Sequence, residues 1–327
     1  MYALRYDRFG SPSDVLRYAE VPPRPIAAGE VRLRMTHRPI NPADLLEVRG
    51  RYGVRPELPA VAGHEGVGIV EAVGDGVTGW AEGDRAVPLA AGPTWQTHLT
   101  TTPDRLFRVP DAVPDEAAAQ LFVNPVTAAL LLDLVGAPAG SWLLCTAANA
   151  AVARFALQLG HAAGLRVLGL SRRPDALPDL DALGYDAAVA FAEGDDPTPI
   201  RREILDVTGG IAGALDPVGG DTGALAASCL TDGGVLAVYG ALSGTPIPLA
   251  PGPLLFRQAT VRGLWRTQWW STATPSIRTQ VLGRVASAFG EGRLHAPVEA
   301  EYALADFSSA LAHHARSGRM GKVLLTS

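Results

Sequence analysis

The chain reads as an α/β protein of two domains, one mostly antiparallel β and the other a doubly wound parallel sheet. Three observations carry this reading. Before residue 120, short β-type runs at 31–35, 66–73 and 85–89 recur between glycines and prolines, the spacing of a largely antiparallel sheet. After 115 the pattern turns helical and then alternates, with strands at 166–170, 187–191, 213–216 and 234–238 and helices at 177–183, 199–207 and 222–230. Repeated βαβ units require parallel strands with helices on both faces. The stretch 142–173, WLLCTAANAAVARFALQLGHAAGLRVLGLSRR, itself reads strand, tight turn, helix, strand. Beyond 265, a long helix at 275–290, a final helix at 304–317 and a strand at 322–325 carry the tail back to the first domain. Residues 1–120 and 266–327 are therefore expected to form the β-rich domain, and 121–265 the parallel-sheet domain.

Composition narrows the function. With 327 residues, 47% of them hydrophobic, the chain can bury two cores. A formal charge of −5 without a run of Lys or Arg gives no reason to expect nucleic acid. No segment is long and apolar enough to span a bilayer, and the start has no apolar stretch of signal-peptide length, so a cytoplasmic protein is expected. The two cysteines, Cys145 in an apolar strand and Cys229 after a helical run, read as small core residues rather than a disulfide or a thiolate site.

The βαβ stretch is of the kind that binds a dinucleotide. Ser171-Arg172-Arg173 follows its second strand, where guanidinium groups suit the 2′-phosphate of NADPH. The turn 147–153, AANAAVA, holds no glycine. The turn and helix start hold Asn149, Ala151 and Val152; a pyrophosphate would come closest at Ala151, whose methyl occupies space that glycine leaves open. Two readings stand: a displaced pyrophosphate capped by the helix, or a fold that has outlived its ligand. A later strand ends in Tyr239-Gly240, at the sheet edge where such folds bind ligands. NADPH is the expected cofactor.

Four segments identify the chain further: INPAD at 40–44 with GRYG at 50–53 and PELPAV at 56–61; TWQT at 94–97; VNPVTA at 123–128; and VRGLWRTQW at 261–269. With the closing SGRMGK at 317–322 they make the chain resemble the zinc-free branch of the medium-chain dehydrogenase/reductases, and within it the mitochondrial-type 2-enoyl thioester reductases. The resemblance implies a GroES-like catalytic domain, a Rossmann domain, and NADPH-dependent reduction of an activated C=C bond. It implies Tyr52 as enolate stabiliser or proton donor, with Asn41 and Trp265 beside it. Asn124, Thr127 and Lys322 are implied near the cofactor, and Asp44 and Trp95 in support. The family usually has glycine at Ala151 and Ala153. It also implies a homodimer, with strand 234–238 as the candidate interface, and an acyl thioester or enone as the small-molecule partner. A quinone or α,β-unsaturated carbonyl reductase shares these features. A cofactor-impaired homologue with a redox-neutral or ligand-binding role is the reading of another class.

Gly63-His64-Glu65 resembles the segment that supplies a zinc histidine in metal-dependent relatives. Those enzymes also need a thiolate in the earlier loop, where this chain has Asn41-Pro-Ala-Asp44, and a four-cysteine lobe that this chain lacks. No metal is expected, and His64 is read as structural.

Overall fold

The strands follow one another as β1 (Tyr2–Tyr6), β2 (Arg17–Glu20), β3 (Val31–Pro39), β4 (Ala60–Val61), β5 (Val67–Val73), β6 (Arg85–Pro88), β7 (His98–Thr101) and β8 (Leu106–Arg108). Then come β9 (Trp142–Thr146), β10 (Arg166–Ser171), β11 (Ala187–Ala190), β12 (Ile211–Asp216), β13 (Leu230–Val238) and β14 (Thr260–Gly263), followed by β15 (Val298–Ala303) and β16 (Lys322–Thr326). The computed structural model describes residues 1–90 and 92–327. It divides into one unit of 1–123 with 286–327 and a second of 124–285. The second boundary thus falls at 285 rather than 265. The helix Arg266–Thr272 packs on the helix Asn124–Val135, and Arg284 forks Asp133 at 2.9 and 2.6 Å, so residues 266–285 group with the parallel-sheet unit. No helix among the described residues is long and apolar enough to cross a membrane.

The first unit is mixed, mostly antiparallel β. Its larger sheet runs β15-β16-β3-β5-β6-β8, with β7 also paired to β3, and its smaller one β2-β1-β4. Alternation along β3 sends Val31, Leu33 and Met35 into a core with Val70, Ala86, Leu99 and Leu106. Strand β16 comes from the far end of the chain, runs antiparallel to β3, and lies buried from Lys322 to Leu325. It thereby places Lys322 beside the end of β3. A second core joins Leu4, Tyr6, Ile40, Trp95, Val323 and Leu325.

The second unit has one sheet, ordered β11-β10-β9-β12-β13-β14 and parallel throughout. All five residues of β9 are buried, as expected of a strand covered on both faces. Cys145 and Cys229 are buried free thiols, and burial pushes the Cys145 thiol up to about 12. One expectation is corrected. The strand at 234–238 is not an edge, because β14 pairs alongside it from Val235↔Thr260 to Val238↔Gly263. The edge on that side of the sheet belongs to β14, and the other to β11.

The glycine-free turn resolves its geometry in a way the sequence does not announce. The left-handed residue is Ala147, at φ 48°, while Ala151 begins the helix Ala151–Ala162. An L-residue in that region costs about 1–3 kcal/mol. The turn is held by the Ala148 amide donating to the Leu170 carbonyl at 3.1 Å and by the Tyr185 hydroxyl donating to the Ala148 carbonyl at 2.8 Å. Across from it, Gly169 on β10 supplies the missing room: a Cβ there would stand 3.0 Å from both the Ala148 Cβ and the Tyr185 ring. Gly169→Ala is accordingly expected to destabilise the protein by about 1–3 kcal/mol, as overpacking does, read as a lowered unfolding midpoint in denaturant.

Candidate active site

The polar residues of the first unit converge on the helix Pro42–Val48. Asn41 caps it, and its backbone N–H donates to Asp44 Oδ2 at 2.7 Å. The Asn41 side chain turns elsewhere. Its Nδ2 donates to Glu65 Oε1 at 2.7 Å, and its Oδ1 accepts from Lys322 Nζ, which also reaches the Ile40 carbonyl at 3.4 Å. Glu65 Oε2 in turn accepts the Val123 amide at 2.7 Å. On the other side of Asp44, its Oδ1 lies 2.6 Å from His64 Nδ1, and His64 Nε2 lies 3.1 Å from Glu47 Oε2. Tyr6 donates to Glu47 at 3.4 Å. The half-buried Tyr52 stands edge-on to His64, their ring centroids 5.3 Å apart and the planes at 60°.

Burial and charge pull these groups apart from their ordinary values. Glu65 is pushed up to about 7 by burial, against the Asn41 hydrogen bond and the Lys322 charge. Lys322 is lowered to about 8 by burial, against the carboxylates of Glu65 and Asp44. For His64 burial disfavours the cation, but hydrogen bonds and charge from Asp44 and Glu47 outweigh it and raise the imidazolium to about 10. Pairs of titratable groups pushed toward neutrality or held charged by their surroundings are the mark of functional sites.

Several expected residues of the second unit follow the C-terminal ends of its parallel strands. Ser171 is buried at the end of β10, with its Oγ accepting the Arg173 amide at 3.2 Å. Arg172 is exposed, and Arg173 lies 3.6 Å from Asp175. Half-buried Asn149, Ala151 and Val152 flank the start of the helix Ala151–Ala162, whose cap residue Ala150 offers no side-chain acceptor. Tyr239 and Gly240 follow β13, and the buried Tyr239 hydroxyl has no hydrogen-bond partner. Asn124 and Thr127 are buried in the helix Asn124–Val135. Trp265, at 38% exposure, precedes the helix Arg266–Thr272. Lys322 belongs to the first unit, in the Asn41–Glu65 network. Trp95 is fully buried, donating to the Pro39 carbonyl at 3.3 Å.

Two residues escaped sequence reasoning. Asp216 ends β12 fully buried, accepting from Thr146 Oγ1 at 2.6 Å and from the Val218 and Gly219 amides at 2.9 and 3.0 Å. It ties two strand ends together and shapes the turn into Gly219, whose φ of 79° and ψ of −156° suit glycine alone. A strand-ending Asp before Pro-Val-Gly-Gly was the available signal. Glu47 is the other; it carries no motif. Among the described residues one trio, His37, Glu116 and Glu301, brings potential ligand atoms within 4.8 Å of one another. It is separate from the Asp44–His64 cluster.

Comparison with known proteins agrees with both units. Residues 27–105 match the alcohol dehydrogenase GroES-like domain and residues 151–279 the zinc-binding dehydrogenase family. The chain is 32% identical over 328 residues to the mitochondrial enoyl-acyl-carrier-protein reductase of Homo sapiens, covering 99% of this chain and 88% of the human one. Two solved mycobacterial structures, a quinone oxidoreductase and a complex with NADPH, each superpose with a TM-score of 0.86 at 26% identity, covering 100% of both chains.

Two outcomes follow from the geometry. Because His64 titrates higher folded than its ordinary 6.5, its contribution to stability is full below that value and lost as pH rises toward 10. Urea unfolding of wild type and His64→Gln should therefore show a stability gap that shrinks from pH 6 to pH 10. Asp216→Ala removes the acceptor of the Val218 and Gly219 amides and the shorter of two acceptors of Thr146 Oγ1, and should cost about 2–4 kcal/mol in the same assay.

Proposed function

Since the chain belongs to the medium-chain dehydrogenase/reductases, and within them to the family of mitochondrial-type enoyl-acyl-carrier-protein reductases, we propose that it uses NADPH to reduce the C=C bond of a 2-enoyl thioester. The setting of Tyr52 carries this reading: a half-buried phenol held against a histidine that two carboxylates clamp. NADPH, when bound, supplies the hydride for the β-carbon. Negative charge then builds on the thioester carbonyl oxygen. The Tyr52 hydroxyl stabilises that enolate by hydrogen bonding or passes its proton to the α-carbon. Asn41 and Lys322 hold the polar floor of this unit in place through Glu65, and Trp265 offers an exposed ring to substrate.

The residues of the second unit fit the nucleotide. The helix start after Ala150 has no capping side chain to displace, so its first amides suit a pyrophosphate. Arg172 and Arg173 suit the 2′-phosphate, and the partnerless Tyr239 hydroxyl is a buried group in want of a ligand. These features favour a working cofactor site over a degenerate one. Zinc has no place in the mechanism: the thiolate position is Asn41, and both His64 nitrogens already face carboxylates. A quinone or enone as substrate is the second reading, favoured by the mycobacterial quinone oxidoreductase.

A homodimer belongs to the same proposal. Strand β14 is one edge of the parallel sheet, and the helix Pro251–Phe256 leads into it with Leu255 at 62% and Phe256 at 82% exposure, an open edge beside exposed apolar side chains of the kind that natural proteins cover.

Tyr52→Phe should lower kcat on an enoyl thioester about 100-fold with NADPH affinity unchanged. Unchanged turnover removes Tyr52 from the chemistry, and turnover of quinones alone replaces the thioester reading. Arg173→Ala should weaken NADPH far more than NADH in a fluorescence titration. Phe256→Asp should shift the protein to monomer in sedimentation.

A further inference from the structure

We infer that His64 is the positioning residue for Tyr52, a cationic platform whose ring is locked by Asp44 and Glu47 and which in turn sets where the phenol stands. The inference rests on the reading of Tyr52 given above and deepens it.

The lock follows from hydrogen-bond chemistry. A neutral imidazole has one N–H and can donate to one carboxylate only; its other nitrogen would face an anion with a lone pair. Here both nitrogens face carboxylate oxygens, at 2.6 and 3.1 Å, so the arrangement calls for the imidazolium, which donates to both. Two anchored nitrogens fix the plane of the ring. Asp44 and Glu47 can supply both anchors because residues three apart share one face of a helix, and both lie in the helix Pro42–Val48.

The same helix runs into the turn that carries Tyr52, which has Gly50 and Gly53 close by on either side. Gly50 has a φ of 69°. Such a turn is conformationally permissive, so the side chain depends on what it packs against. Against the fixed His64 ring, Tyr52 takes the edge-type arrangement that aromatic rings prefer. Helix, turn and histidine thus close a loop in which one secondary element sets both the platform and the residue standing on it.

The charged and titratable groups facing His64 come from several elements. Asp44 and Glu47 lie on the helix, Tyr52 on the turn after it, and Tyr6 on β1 through its bond to Glu47. Beyond Asp44, the Asn41 network brings in Glu65 and Lys322. With the carboxylates in place, the imidazolium persists to about pH 10. Removing one carboxylate charge weakens that hold while leaving an oxygen that still accepts a hydrogen bond.

The test measures kcat, KM and NADPH affinity between pH 6 and 10, with crotonyl-CoA as substrate, for wild type, Tyr52→Phe, His64→Gln, Glu47→Gln and the Tyr52→Phe/His64→Gln double variant. Expected for Glu47→Gln is an alkaline fall in kcat that begins about one pH unit lower than in wild type, at unchanged NADPH affinity. Expected for His64→Gln is a kcat lower by about 10-fold or more, with no further loss when it is added to Tyr52→Phe. If Tyr52→Phe is fully active, the reading of the site fails and the inference goes with it. If Tyr52→Phe is impaired while His64→Gln and Glu47→Gln keep the wild-type kcat and alkaline limb, the site stands and His64 does not position Tyr52. Equal losses from His64→Gln in both backgrounds also overturn the inference, since the residue then acts independently of Tyr52. Should His64→Gln not fold, the alkaline limb of Glu47→Gln decides alone.

Discussion

Asp44 is the residue on which the catalytic unit turns. It is fully buried, and one oxygen closes the first turn of its helix by accepting the Asn41 amide while the other holds His64. Asp44 closes its own helix by accepting the Asn41 amide, as the acidic residue of a capping box does. The Asn41 side chain bridges Glu65 and Lys322. One carboxylate therefore connects two networks, one running to β16 and the other to Tyr52. A buried carboxylate of this kind needs a donor at each oxygen, and here the donors are an amide and a ring N–H.

The pairing of a high-titrating Glu65 with a low-titrating Lys322 gives this unit a second character. Each is moved toward neutrality by burial and pulled back by the other, with Asn41 as the shared neutral partner. Glu65 lies one residue along the chain from His64, whose proton Asp44 and Glu47 hold.

Much of the fold was readable because periodicity is a local signal. The alternation from Trp142 onward specified a parallel sheet, and the buried run of β9 was visible as an unbroken apolar strand. Strand β14 was hidden, since four residues, Thr260 to Gly263, carry too short a pattern and lie mostly exposed. The reach of the second unit to Val285 was hidden because it depends on a helix docking and an Arg284–Asp133 pair far apart in sequence. At the candidate site, Tyr52, Asn41 and the arginine pair stood out through residue type and motif. The links among them did not. Asn41 meets Glu65 across 24 positions and Lys322 across 281, and His64, structural by sequence, has both nitrogens engaged by carboxylates 20 and 17 positions before it.

The facing of Ala148 and Gly169 ties the turn to its neighbouring strand. A methyl in the turn fits because a hydrogen stands opposite on β10, so the two positions are not free to vary alone. A side chain on β10 would press on the turn and on the Tyr185 ring that holds it. The room that a glycine-free turn needs is thus kept one strand away, where a motif search confined to the loop does not look.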